Sequence, residues 1–393
     1  MRPFISPRSC HPARSRPAWA VSAAVLALAL AAAGCGKTAG TSASTSGSQV
    51  VSSATLASLR SQMAQAEAVP SFTAPGPAFD AAKAKGKTIL AVPSSSQIPY
   101  CAQTIQSMVS IGKSIGVPVT DYTANDPTAW AQAAQEALSS KAGAFTTICG
   151  INPAQIAPQI AALRAHQIPV VTLLGDVSLP APSTVNAGTS IQLDKAADLD
   201  VDDAVVNNDG KPFHALVLTD YDIYGANSPT AEAVAQLKKL CGSNCPATVM
   251  SIPITDWTTT IESTVSGALL KDPKITAVIC LYDGMVAGFL PAVQGAHRAG
   301  LKIYTYGASQ GVVDMITSTH GVVATDVGAG APWTAYTQMD QVLRVMAGQP
   351  ALPTGDEYPA LRMWVPSNAS QFNGPNPYGT SFASGFMKLW QEG

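Results

Sequence analysis

The chain is 393 residues long, carries a formal net charge of −2, and only 12% of its side chains are charged. A nearly neutral chain without a basic patch or charge run offers nucleic acid no electrostatic footing. The length exceeds what one hydrophobic core usually organises, so more than one lobe is expected.

The first segment reads as an address. Arg2, Arg8, Arg14 and Arg16 precede an apolar stretch over residues 18–33 that ends in small residues and Gly34-Cys35. That order of charge, apolar run and small residues is a secretory signal, and the run is shorter than the roughly 20 residues that cross a bilayer. The Gly34-Cys35 boundary resembles a bacterial lipoprotein box, with Ala32 where the box usually has Leu. The resemblance implies cleavage before Cys35, a lipid on that cysteine and an extracytoplasmic position anchored to the bacterial cell membrane; plain secretion is the alternative. Residues 1–35 are then the signal peptide. Residues 36–53 hold Gly, Ser, Thr and Ala with almost no apolar bulk to bury, and 36–86 read as a flexible tether and a lead into the body.

From residue 87 onward, short β-branched runs alternate with segments of helical period, the pattern of a parallel sheet flanked by helices. Strands are predicted at 88–92, 117–121, 144–149 and 169–174. The helices between them carry Ile105, Met108, Val109 and Ile115, then Trp130, Ala133, Ala134, Ala137 and Leu138, then Ile156, Ile160 and Leu163, each set forming one apolar stripe. A Pro- and Ser-rich passage over 177–189 interrupts the pattern. A second series follows, with strands at 214–219, 248–254, 275–281, 303–306 and 322–325 and helices at about 228–240, 258–270, 284–299 and 310–318. A last helix at 335–347 precedes a Pro-rich segment and an extended stretch near 358–365. The fold class is α/β, with two doubly wound parallel-sheet lobes; the lack of a short-period repeat excludes a solenoid.

Open parallel sheets bind ligands outside the carboxyl ends of their strands, so those ends hold the candidates. In the first series they carry Gln97, Tyr100 and Cys101, then Asn152, then Asp176. In the second they carry Asp222 and Tyr224, then Asp256 and Trp257, then Tyr282 and Asp283, then Gln310, then Asp326. Flat rings suit C–H surfaces, and amides and carboxylates accept hydroxyl hydrogens, so the set fits a sugar or sugar-like solute. Asn and Asp are also preferred helix caps, and capping is the stronger reading for Asn152 and Asp256. Tyr100 and Trp257 are rings in short polar loops with little core to join.

Five cysteines follow Cys35, and export permits disulfides. Cys241 and Cys245 bracket Gly242-Ser243-Asn244, a turn between a helix and a strand, and are expected to pair. Zinc would need four thiolates or imidazoles at metal spacing around them, and no such set is present. No Walker or H-E-x-x-H sequence occurs and no G-x-G-x-x-G follows a strand; binding without chemistry, cofactor or metal is expected.

The body from residue 87 to about 366 resembles the ribose- and galactose-type periplasmic binding proteins of ABC importers. Pro99-Tyr100 stands where that family has Pro and a sugar-stacking ring. Ile151-Asn152-Pro153 with Ile168-Pro169-Val170-Val171-Thr172 is similar to its third helix and fourth strand, Asp256-Trp257 to its acid and aromatic, and Tyr282-Asp283 with Ala287-Gly288 to its polar residue, Asp and small residues. The resemblance implies a type I periplasmic-binding fold with a three-strand hinge crossing near 186–191, 326–331 and 350–357. The lobes would be 87–188 plus 327–352, and 189–326 plus 353–393. It implies a monomer that passes a small-molecule ligand to an ABC permease in the cytoplasmic membrane; a receptor feeding a membrane sensor kinase is the alternative. The family's sheet order makes the first and third strands neighbours, which implies a Cys101–Cys149 bridge and leaves Cys280 as a buried thiol. The family's arginines are missing here: Leu174-Gly175 replaces the Asp-Arg pair, and no arginine lies between Asp220 and Leu237. A pocket with extra tyrosines and no guanidinium fork suits a flatter or less hydroxylated ligand.

Overall fold

Side chains alternate across the strands of both sheets and sort the interior into a core on each face. The computed structural model describes residues 48–391 except 176, 178, 179, 354–356 and 375; the signal, Cys35 and Asp176 lie outside the described residues. In chain order the elements are α1 (Ser53–Glu67), β1 (Ile89–Pro93), α2 (Pro99–Ile115), β2 (Val119–Asp121), α3 (Pro127–Ser139), β3 (Ala144–Ile148), α4 (Ala157–Ala165), β4 (Val170–Leu173) and β5 (Ala187–Thr189). They continue with α5 (Leu193–Asn207), β6 (His214–Thr219), α6 (Asn227–Cys241), β7 (Ala247–Ser251), α7 (Ile261–Lys271), β8 (Ile275–Cys280), α8 (Val286–Gly295) and β9 (Lys302–Tyr306). The last are α9 (Gln310–Ser318), β10 (Val323–Gly328), α10 (Ala331–Met346), β11 (Arg362–Trp364) and α11 (Ser381–Leu389).

The first sheet has the order β2-β1-β3-β4-β5 and is parallel throughout. Ile89 and Ala91 of β1 pack with Ile105 and Met108 of α2 and Val342 of α10. Leu90 and Val92 point the other way, onto Ala133 and Ala137 of α3 and Ile160 of α4. The second sheet, β11-β10-β9-β8-β6-β7, is parallel except for β11, which runs against β10. Leu216 and Leu218 of β6 pack with Val265 of α7 and Phe289 of α8, while Ala215 and Val217 face Val201 of α5 and Ala233 of α6. Each large aliphatic side chain buried this way contributes roughly 1.5–3 kcal/mol. Local signals set the helix ends: Pro99 opens α2 and Gly116, at φ 76°, closes it in the left-handed region.

Three segments of the body cross between the sheets: β5 to α5, β10 to α10, and α10 to β11. Two of them touch, because the Ser190 N–H donates to the Glu357 carbonyl at 3.3 Å.

Four features depart from the sequence expectation. Residues 53–67, expected within a flexible lead, form α1, whose Leu56 and Leu59 join Val201, Val205 and Phe213 of the second lobe. The edge strand β5 lies inside the passage read as an interruption. Helix α5 was absent from the expectation because Asp200, Asp202 and Asp203 are on its buried side and break the apolar stripe. Residues 353–393 were assigned to the second lobe, yet α11 lies on α10 of the first. Phe382 stacks on Trp333 at 4.6 Å, and the Trp390 indole N–H donates to Asp340 Oδ1 at 2.7 Å. The lead joins the same place: the Arg344 guanidinium sits 4.5 Å above the Phe79 ring. Both terminal segments thus span the lobes alongside the three hinge crossings.

Candidate ligand cleft

The lobes meet where the Tyr224 N–H donates to the Gly150 carbonyl at 3.2 Å. Gly150 has φ 78°, and a Cβ there would stand 3.1 Å from Ile223 Cγ2 and 3.2 Å from the Tyr224 carbonyl oxygen, so glycine permits this approach. Around the contact the strand ends enclose an outer cleft of about 880 Å3 and an inner cavity of about 60 Å3, with Ile98 and Ile223 lining both.

The inner cavity gathers Tyr100, Cys101, Trp257, Tyr282 and Asp283 of the predicted set. Cys101, in the first turn of α2, is bridged to Cys149 beyond β3, with Cα atoms 6.0 Å apart; β1 and β3 are neighbours in the sheet. Cys241 and Cys245 are also bridged, at 5.5 Å, and Cys280 is a buried free thiol. The Tyr100 ring is held at its far end by a 2.6 Å hydrogen bond between its hydroxyl and Thr334 Oγ1 on α10, and burial pushes its phenol pKa up.

Trp257 donates from its indole nitrogen to the Ile252 carbonyl at 2.9 Å and stacks on Tyr282, centroids 6.2 Å apart. A Cβ at residue 288 would come within 2.1 Å of the Trp257 carbonyl oxygen, so Gly288 lets α8 reach the tryptophan backbone. Asp283 is buried, accepts from the Ser309 N–H at 2.7 Å, and its pKa is pushed up to about 6 by loss of solvent. Gly307 makes room for it, since a Cβ there would stand 2.3 Å from Asp283 Cγ.

The outer cleft holds Asn152, Asp222 and Tyr224. Asn152 Oδ1 accepts from the Ala154 N–H at 3.0 Å, so this residue caps a turn and also faces the cleft. Beside it the Trp130 indole N–H donates to the Ser94 carbonyl at 3.1 Å. Asp220 accepts from the Asp222 N–H at 2.9 Å, and burial pushes its carboxyl up to about 6.

Four predicted residues line neither space; Asp256 is one of them, at the end of the short helical turn Ile254–Asp256. Gln97 is exposed at the turn into α2. Gln310 donates to Asp314 and Asn373 on the outer side of α9. Asp326 is fully buried and accepts from the Ala308 N–H at 2.8 Å, which ties down the turn after β9. Asp176 lies outside the described residues. Tyr306, Ile191 and Leu193, which the sequence reading did not single out, line the inner cavity, as does Leu174, and Asp220, noted only as a strand-end position, lines the outer cleft. Tyr306 carried a signal, as the last residue of its strand beside Gly307; the aliphatic residues carried none.

Two parallel α/β lobes, three crossings and a cleft at the strand ends define the type I periplasmic-binding fold. A sugar ABC transporter structure from Yersinia enterocolitica subsp. enterocolitica 8081 has a TM-score of 0.64 at 18% identity, over 82% of this chain and 95% of that one. A 5-methylthioribose transporter solute-binding protein from Thermotoga lettingae TMO, in complex with 5-methylthioribose, has a TM-score of 0.62 at 14% identity, over 79% and 95%. A carbohydrate transporter from Acidothermus cellulolyticus 11B, in complex with myo-inositol, has 0.59 at 16% identity, over 72% and 96%. No protein-family model and no curated protein matches the chain.

Proposed function

We propose that this chain is an extracytoplasmic solute-binding protein that captures one small organic molecule between its lobes and delivers it to an ABC importer, acting as a monomer held to the cell membrane by a lipid on Cys35. The observation that carries the reading is the pair of adjoining spaces between the lobes, walled by side chains from both. A ligand that touches both lobes favours the closed state in proportion to its extra contacts there. The structural neighbours crystallised with 5-methylthioribose and with myo-inositol support a compact cyclic solute. The signal and the Gly34-Cys35 boundary support the anchor. No helix among the described residues is long and apolar enough to cross a membrane. The reading is tested by screening sugars, polyols, nucleosides and small cyclic or aromatic compounds for a rise in melting temperature. A ligand at a hundredfold over its dissociation constant stabilises the fold by about 2.7 kcal/mol.

A further inference from the structure

The charge in the cleft is one-sided. Asp283 lines the inner cavity and Asp126, Asp220 and Asp222 line the outer cleft, while no Lys, Arg or His among the described residues lines either. Asp283 is 5% exposed and faces rings and aliphatic side chains, where an ionised carboxylate without a counter-charge is costly. The hydroxyl oxygens of Tyr282 and Tyr306 are buried and have no hydrogen-bond partner among the described residues, and the Tyr306 side chain is 7% exposed.

We propose that the ligand carries a protonated amine, seated in the inner cavity against Asp283 and the rings of Tyr100, Trp257, Tyr282 and Tyr306, with the rest of the molecule passing Ile98 and Ile223 into the outer cleft. The assignment rests on the reading of the cleft as a solute site and narrows its ligand class. An ammonium supplies the missing counter-charge, its N–H groups donate to the carboxylate, and ring faces attract cations within about 6 Å. A polyhydroxylated sugar buried at this depth would leave hydroxyls unpaired against Leu174, Ile191, Leu193 and the Cys101–Cys149 bridge. The inner cavity is less than half the roughly 150 Å3 that admits benzene, which suits a compact ammonium head.

Titration calorimetry and thermal shift at pH 7.5 with benzylamine, benzyl alcohol, benzoate and ribose test the assignment. Benzylamine is expected to bind at least tenfold more tightly than benzyl alcohol, with benzoate weakest. Asp283→Asn should remove that tenfold preference. Benzyl alcohol or ribose binding as tightly as benzylamine, or an amine preference that survives Asp283→Asn in a folded variant, overturns the proposal. Silence from all four probes also overturns it, whereas the solute-binding reading falls only if the broad screen is silent as well.

Discussion

Trp257 is fixed before any ligand arrives, by its indole hydrogen bond to Ile252, its stack on Tyr282 and the close approach allowed by Gly288. Tyr100 is fixed likewise by Thr334. Anchors already ordered lose little side-chain entropy on binding, so Tyr100→Ala and Trp257→Ala should each weaken the ligand by about 2 kcal/mol or more. Gln310→Ala, on the outer side of α9, should leave affinity unchanged. Calorimetry on variants whose urea unfolding matches the parent reads this out; unchanged affinity in both ring variants contradicts the placement. The premise that these two rings have little core to join does not hold, since Tyr100 lies in the first turn of α2 and both join the main core, although both also line the inner cavity. Asp326 was misread because a strand-end acid looks the same in sequence whether it meets a ligand or, as here, a backbone N–H in the interior.

At the scale of elements, the Cys101–Cys149 bridge joins the first turn of α2 to the end of β3 across a sequence separation of 48. It restrains the turn that carries Tyr100 and sits beside Gly150, where the lobes touch. Cys101→Ser/Cys149→Ser should therefore lower stability by roughly 2–4 kcal/mol, chiefly by freeing the unfolded chain, and should also loosen ligand binding. Urea unfolding of the double variant, with peptide mapping of the unreduced parent, tests this. A parent with both thiols alkylated, or a variant of equal stability, contradicts it. The alternating strands and striped helices of the two series were readable from apolar period alone. Helix α5 was not, because its buried acids erase the stripe. Helix α11 had a usable signal in Phe382, Phe386 and Trp390 at helical spacing, but only the fold shows that the stripe lands on α10.

The whole molecule keeps several carboxyl groups buried, and their balance sets its pH response. Burial pushes Asp203 and Asp283 up to about 6, and raises Asp200, Asp326 and Glu357 well above the usual carboxylate range. A folded-state value above the unfolded one of about 3.9 means that the folded chain holds the proton more tightly. The associated stability is fully present below about pH 4 and is lost as pH rises through about 6 for Asp203 and Asp283. Urea unfolding should accordingly show greater stability at pH 5 than at pH 7.5, by about 1 kcal/mol for each of these two groups; greater stability at pH 7.5 contradicts the dominance of burial over the charges near these acids.

The central claim, that the two lobes exist to hold a solute between them, is tested most directly by titrating the chain calorimetrically with the compounds screened for a thermal shift, a native cell extract included. The account predicts one ligand per chain, a negative heat-capacity change from apolar burial, and loss of the signal when Tyr100 and Trp257 are both replaced by Ala. A melting temperature unmoved by every class and by the extract, or binding untouched by that double replacement, would contradict it.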